Sequence, residues 1–179
     1  MPLKTTPRSS SLLAVRTDAQ TTPKVAKWVQ HGRALHLIDV ENLVGCSRPG
    51  AKAVNQALES YRQEAAVREG DHVMIGCHPG LGLAVHAAWP GAQIRVGHGP
   101  DGADHALLDW ADPDDLARRF FRVCVGSGDG FFAELLRELR ERGVEVRVVS
   151  RRRSTSRRIR KVAAPTYVPT PALALSKAG

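Results

Sequence analysis

Three aspartates stand at equivalent points of the chain, each where an apolar run or a glycine turn gives way to a new element. Asp39 closes A-L-H-L-I-D, Asp129 follows V-C-V-G-S-G, and Asp104 opens a helical run after G-H-G-P-D-G. Glu41 and Asn42 follow the first of them directly. If the runs before Asp39 and Asp129 are parallel strands, their ends share the edge at which α/β sheets bind ligands. The three carboxylates then converge although 65 and 25 residues separate them in sequence. Converging carboxylates repel unless a positive charge lies between them, and Mg2+ or Mn2+ is the hard cation such a set suits. Such an ion makes a bound water more acidic and neutralises charge on an attacked phosphodiester, so metal-dependent phosphodiester hydrolysis is the chemistry these residues point to. Taken singly, each aspartate is explained as a helix cap or a loop acceptor. Three on one edge favour the site.

The elements that must position them follow from periodicity. Ala34–Val40, Asp71–Cys77, Ala92–Val96, Phe121–Val125 and Val144–Val149 read as short buried strands. Between them Ala51–Val67, Leu81–Trp89, Ala103–Ala111 and Phe131–Arg142 carry apolar residues at helical spacing, with a shorter piece at Leu116–Arg119. Pro113, with the acidic residues beside it, suits a helix start, and Gly143 suits a helix end. Alternating strands and helices predict an α/β fold: a three-layer αβα arrangement around a central, mainly parallel sheet. There is no internal repeat.

Charge divides the chain. Residues 1–33 carry a net +5, residues 34–150 a net −5 and residues 151–179 a net +8, within an overall +8. An acidic centre between basic arms suits a polyanionic partner gripped by the arms. The first arm, 1–33, reads as disordered, with at most a helical turn at Val25–Val29. The last stretch, 151–179, reads as a basic helix over Arg151–Lys161, beginning near Ser154 or Ser156, and a Pro-containing tail. No run is apolar enough to span a bilayer or serve as a secretory signal, which sets a cytoplasmic expectation. Cys46, Cys77 and Cys124 form no C-x-x-C pair and read as small buried apolar residues, not disulfides or zinc ligands.

Other chemistries fit less well. A G-x-G-x-x-G pattern starting at Gly126 would need glycine at Phe131, and there is no G-K-[ST] for a P-loop. The second aspartate of a haloacid dehalogenase is missing after Asp39, and no G-x-S-x-G elbow is present. The combination D-V-E-N-L (Asp39–Leu43), G-A-D-H-A-L-L-D (Gly102–Asp109) and V-G-S-G-D-G-F-F (Val125–Phe132) resembles the NYN domain, a branch of the PIN-like nuclease superfamily. The resemblance covers roughly residues 34–150, with three motifs in the family's order.

That resemblance implies a PIN-like αβα fold and a metal-dependent endoribonuclease acting on single-stranded or structured RNA. By position, Asp39, Asp104 and Asp129 match the family's metal-binding aspartates and Asn42 the companion of the first, while Ser127 and Gly128 shape the S-G-D turn. Glu41 and Asp101 stand beside them as supporting residues. Two positions depart from the pattern. Many members carry a second acidic residue where this chain has Phe131, a loss that would weaken metal affinity or reduce the site to one ion. Many carry a lysine where this chain has Asp101. The seven cations Arg151, Arg152, Arg153, Arg157, Arg158, Arg160 and Lys161 are the expected RNA contacts. If the segment is helical, Arg153, Arg157, Arg160 and Lys161 share a face. An aromatic content of 5% offers little sign of a base-stacking platform. Two other classes stay open: an RNA-binding module that has lost catalysis, and a domain whose acidic edge binds a basic protein segment. Oligomeric state is open too, a homodimer included.

Overall fold

The computed structural model describes residues 32–169. The expected helical turn at Val25–Val29, most of the N-terminal arm and the end of the C-terminal tail lie outside them.

Six strands form one all-parallel sheet: β1 (Ala34–Asp39), β2 (His72–Cys77), β3 (Gln93–Val96), β4 (Arg122–Gly126), β5 (Glu145–Arg151) and β6 (Pro165–Val168). Their order is β3-β2-β1-β4-β5-β6. The chain winds outward from β1 in one direction and from β4 in the other. The topological switch therefore falls between these two strands, and a crevice opens beyond their carboxyl ends. Asp39 is the last residue of β1, and Asp129 lies three residues past β4.

The helices cover both faces, as a fully buried parallel sheet requires. One face carries α1 (Val40–Val44), α2 (Ala51–Glu64) and α3 (Gly82–Ala88), packing Val54, Leu58, Tyr61 and Val85 over Ile38 and Ile75. The other carries α4 (Gly102–Leu108), α5 (Pro113–Arg119), α6 (Phe132–Glu141) and α7 (Arg157–Val162), packing Leu107, Leu116, Phe132, Leu136 and Ile159 over Leu35, Leu37 and Val125. Side chains alternate across a strand. Leu35 and Leu37 therefore face the second layer together with Asp39, while His36 and Ile38 face the first.

The sequence-based elements correspond closely, with four differences. β1 stops at Asp39, one residue early, because its side chain accepts the Asn42 N–H at 3.1 Å and caps α1, a helix the sequence reading missed. β5 runs on to Arg151, so the basic helix does not span Arg151–Lys161. It begins at Arg157 with Ser156 as its cap, one of the two starts expected from the sequence, the Ser156 Oγ accepting the Ile159 N–H at 3.2 Å. Arg153 lies in the intervening turn and shares no helical face with the other cations. Residues assigned to a Pro-containing tail supply β6, an edge strand that opens on Pro165, the position where a missing N–H costs least. Cys77 and Cys124 are buried as expected, but Cys46 is exposed.

Candidate active site

Asp39 reaches the crevice because β1 ends there, and Asp104 reaches it because α4 packs unusually close to β2. Gly76, the register partner of Asp39 on β2, makes this possible. A Cβ at Gly76 would lie 2.7 Å from the Ala103 carbonyl oxygen, so only a bare Cα lets α4 approach. The loop before α4 enters through Asp101 at φ 54°, a left-handed conformation that is strained for a non-glycine residue.

Asp39 and Asp104 are each only 4% exposed, and their carboxyl groups lie within hydrogen-bonding reach of one another. Burial raises both carboxyls, Asp39 to about 8 and Asp104 to about 6, and the charge of Asp104 on Asp39, and of Asp129 and Asp101 on Asp104, adds to the rise. Among the described residues no donor reaches Asp104 Oδ1, which is buried. Glu41, on the first turn of α1, accepts the His78 N–H at 3.0 Å through Oε1, whereas its buried Oε2 has no partner. Burial raises Glu41 as well. The crevice thus holds buried acidic oxygens that the described residues leave without a donor.

Asp129 faces the pair from the turn after β4. Its Oδ1 accepts the Phe131 N–H at 3.0 Å, and its own N–H donates to Ser127 Oγ at 3.1 Å. Ser127 is fully buried, and Gly128 donates its N–H to Asn42 Oδ1 at 2.9 Å. Asn42 thereby ties the end of β1 to the turn after β4. Gly128 is also where the segment after β5 closes down: its Cβ would lie 2.5 Å from the Ser154 carbonyl oxygen, and its own carbonyl accepts the Ser156 N–H at 2.8 Å.

The cation within the crevice is Arg151. Its Nε donates to the Asn42 carbonyl at 2.9 Å, and its guanidinium lies over Gly45, where any Cβ would collide with it at 2.1 Å. Gly45 has φ +78°, so the α1 C-cap both needs glycine and uses its bareness to seat the arginine. Sequence reasoning placed Arg151 among the RNA contacts of a basic helix. Its position as the last residue of β5, at the same sheet edge as the aspartates, was the signal for its place in the crevice.

Asp39, Glu41, Asn42, Asp101, Asp104, Asp129 and Arg151 line one cavity of about 390 Å³, with Cys46 and Ser47 at its wall. Arg152, Arg153, Arg157, Arg158, Arg160 and Lys161 lie outside it and are exposed. Among the described residues, no three carboxylate, histidine or cysteine side chains form a ready-made metal cage. The closely joined carboxylates are two, Asp39 and Asp104. That suits Mg2+, which takes one or two protein carboxylates and fills its remaining positions with water and substrate phosphate. The unpartnered Asp104 Oδ1 is the atom such an ion would satisfy.

This combination of doubly wound sheet, switch-point carboxylates and S-G-D turn has a counterpart among known families. Residues 96–170 match the family model of the NYN domain, consistent with the resemblance read from the sequence and with a nuclease-like, PIN-like fold. The match takes in Asp104, Asp129 and the basic segment, while Asp39 and Asn42 precede it. A solved structure of a protein of unknown function from Vibrio parahaemolyticus is similar over 77% of this chain and 93% of its own, with a TM-score of 0.52 and 20% identity. That likeness is one of fold. No curated protein matches the chain. No helix of the described residues is long and apolar enough to cross a membrane.

Proposed function

We propose that this protein is a metal-dependent endoribonuclease. The observation that carries the reading is the buried Asp39–Asp104 pair at the switch point, with an oxygen that no donor among the described residues reaches. Asp39 and Asp104 would hold Mg2+ or Mn2+ directly, with Asp129 contributing its charge from across the crevice. The bound ion would polarise a phosphodiester and acidify a water. The chain's own residues supply the rest. Any proton held by the aspartate pair would pass to solvent when the cation binds, leaving both carboxylates as its ligands. Arg151, fixed by the Asn42 carbonyl and the Gly45 cradle, binds a non-bridging phosphate oxygen. Asp129, held by the Phe131 N–H, would orient the attacking water and accept its proton, while the P–O bond breaks and the leaving alkoxide takes a proton from solvent. Glu41 completes the acidic wall, and Asn42, Ser127 and Gly128 keep the β1 and β4 ends in register. The exposed cations from Arg152 to Lys161 hold the flanking phosphates, and binding weakens as salt rises.

The test is a labelled structured RNA incubated with purified protein and Mg2+ or Mn2+, beside Asp104→Asn and Asp129→Asn, with chelator as control. Internal cleavage that needs metal and disappears in both variants is the expected result. Phe131, in place of a second acidic residue, favours a catalytically silent RNA-binding module as the competing reading. RNA bound equally by wild type and variants, with no cleavage by any of them, would establish that reading instead.

A further inference from the structure

Two exposed rings meet at the rim of the acidic crevice. Phe131, 43% exposed, is one of four large hydrophobic residues left in solvent among the described residues. It lies edge to face against exposed His105, with ring centroids 5.5 Å apart and planes at 87°. His105 directly follows Asp104, and Phe131 comes two residues after Asp129, so the rings bridge the two elements that deliver those carboxylates. Phe131 is also anchored where its backbone touches the site, through its N–H on Asp129 Oδ1.

Burial explains neither ring. Phe132, the next residue, is fully buried and supplies the core contact at this end of α6, leaving Phe131 without a packing role. On the other side of the same turn the Arg158 side chain lies against Gly130, its Cδ 3.3 Å from the place a Cβ would take. A cation, an exposed aromatic face and a carboxylate crevice therefore follow one another around a single turn. A nucleotide presents the matching groups in phosphate, base and scissile ester.

We infer that Phe131, braced by His105, is the stacking platform for an unpaired nucleobase next to the scissile phosphodiester, with Arg158 on a neighbouring phosphate. Within the single-stranded or structured RNA that the family resemblance implies, this ring favours an unpaired position, because a base within a duplex keeps both faces covered by its neighbours. The inference rests on the nuclease reading above and assigns a function to the position that departs from the family's acidic pattern. The low aromatic content gave little sign of a stacking platform in the sequence; the inference rests on the place of one ring at the crevice rim.

The test uses the full chain in chelator, so that binding is read without turnover, and follows fluorescence anisotropy of a short single-stranded RNA and of a blunt duplex of the same length. Phe131→Ala should weaken single-strand binding roughly tenfold, the size of one base–aromatic stack, and leave duplex binding unchanged. Phe131→Trp should retain or tighten it, and His105→Ala should lose less than Phe131→Ala. Moving a single abasic site along the strand should expose one position at which wild type loses affinity and Phe131→Ala does not. Single-strand binding unchanged in Phe131→Ala, or weakened equally on the duplex, would overturn the platform and leave the nuclease reading standing. Wild-type protein that binds no RNA at low salt would overturn both.

Discussion

β1 carries two buried polar clusters, one near each end and on opposite faces of the sheet, and they are built on opposite terms. Near its amino end His36, 1% exposed, places Nδ1 3.0 Å from Tyr61 Oη and Nε2 3.4 Å from Asp71 Oδ2. Asp71 in turn accepts the Ala34 N–H at 2.8 Å and the Arg68 N–H at 2.9 Å. One neutral tautomer, donating from Nε2 and accepting at Nδ1, satisfies the ring. Burial pushes the His36 imidazole below its usual range against the pull of Asp71. Burial alone would raise Asp71, yet the hydrogen bonds from Ala34, Arg68 and His36 hold it low. Three residues along the strand, Asp39 is pushed up by burial and then by the carboxyl group it meets. A polar group is buried for stability where its partners come from the fold, and for chemistry where a partner is left to come from outside.

The strongest way to break this comparison is to neutralise one carboxylate of the unsatisfied cluster. Asp104→Asn should lower RNA cleavage by at least about a hundredfold, as loss of a group that acts on the transition state does. The same change should leave the fold as stable or more so, because a buried repulsion disappears. At pH 7.5 and above, a gain of about 1 kcal/mol would raise the Tm by roughly 2–4 °C. A fall in Tm would mean that Asp104 is a structural acid and that the two clusters are alike.

The opposite experiment removes the anchor of the satisfied cluster. Asp71→Ala strands the His36 ring and two backbone N–H groups, and each buried unsatisfied group costs about 1–3 kcal/mol. Denaturant unfolding should show a loss of about 2–4 kcal/mol. Any remaining folded fraction should keep the wild-type metal requirement.

pH sharpens the contrast. Asp39 and Asp104 have folded values above their ordinary 3.8. The native state therefore binds more protons than the unfolded chain, and their contribution is full below about pH 4 and lost as pH rises through about 6 to 8. His36 and Asp71 lie below their ordinary values, so their contribution is full above about 6.5 and 3.8 respectively and is lost as pH falls through the lower folded values. Melting temperature against pH should fall on both sides for wild type, and only the alkaline decline should flatten in Asp104→Asn. Added Mg2+ should raise the Tm at pH 8 by selective binding to the folded state, and should not do so in that variant. Tyr61→Phe is the mildest probe, leaving one His36 nitrogen without its hydroxyl at a cost of about 1 kcal/mol with cleavage unchanged.

The difference between the clusters also explains what was legible in the sequence. Carboxylates at strand ends are visible because turns and glycines mark them, and β1 to β5, α2 and α6 follow from period alone. His36 gave no signal: a lone histidine inside an apolar strand acquires meaning only when Tyr61, 25 residues on, packs over it. α1 was missed because it begins at the residue after β1 with no turn between them. β6 was missed because a short edge strand opening on proline has the composition of a tail. Arg151 was read with its basic neighbours because composition groups residues that β5 and the following turn separate. The exposed Phe131 was legible only as a departure from a pattern. Its neighbour Phe132 takes the core position, as its helical spacing to Leu135, Leu136 and Leu139 implies, which leaves Phe131 off the apolar face.

Asp39 serves two ends at once, the cap of α1 and the acidic wall of the crevice. A lineage that abandoned the chemistry would still be under pressure to keep a short oxygen-bearing side chain at this position, since Asn, Ser and Thr also cap helices. Decay of the activity should therefore be recorded at Asp104, which makes no cap, before it is recorded at Asp39. An alanine exchange at Asp39 would confuse a lost helix start with a lost reaction, whereas Asp39→Asn separates the two.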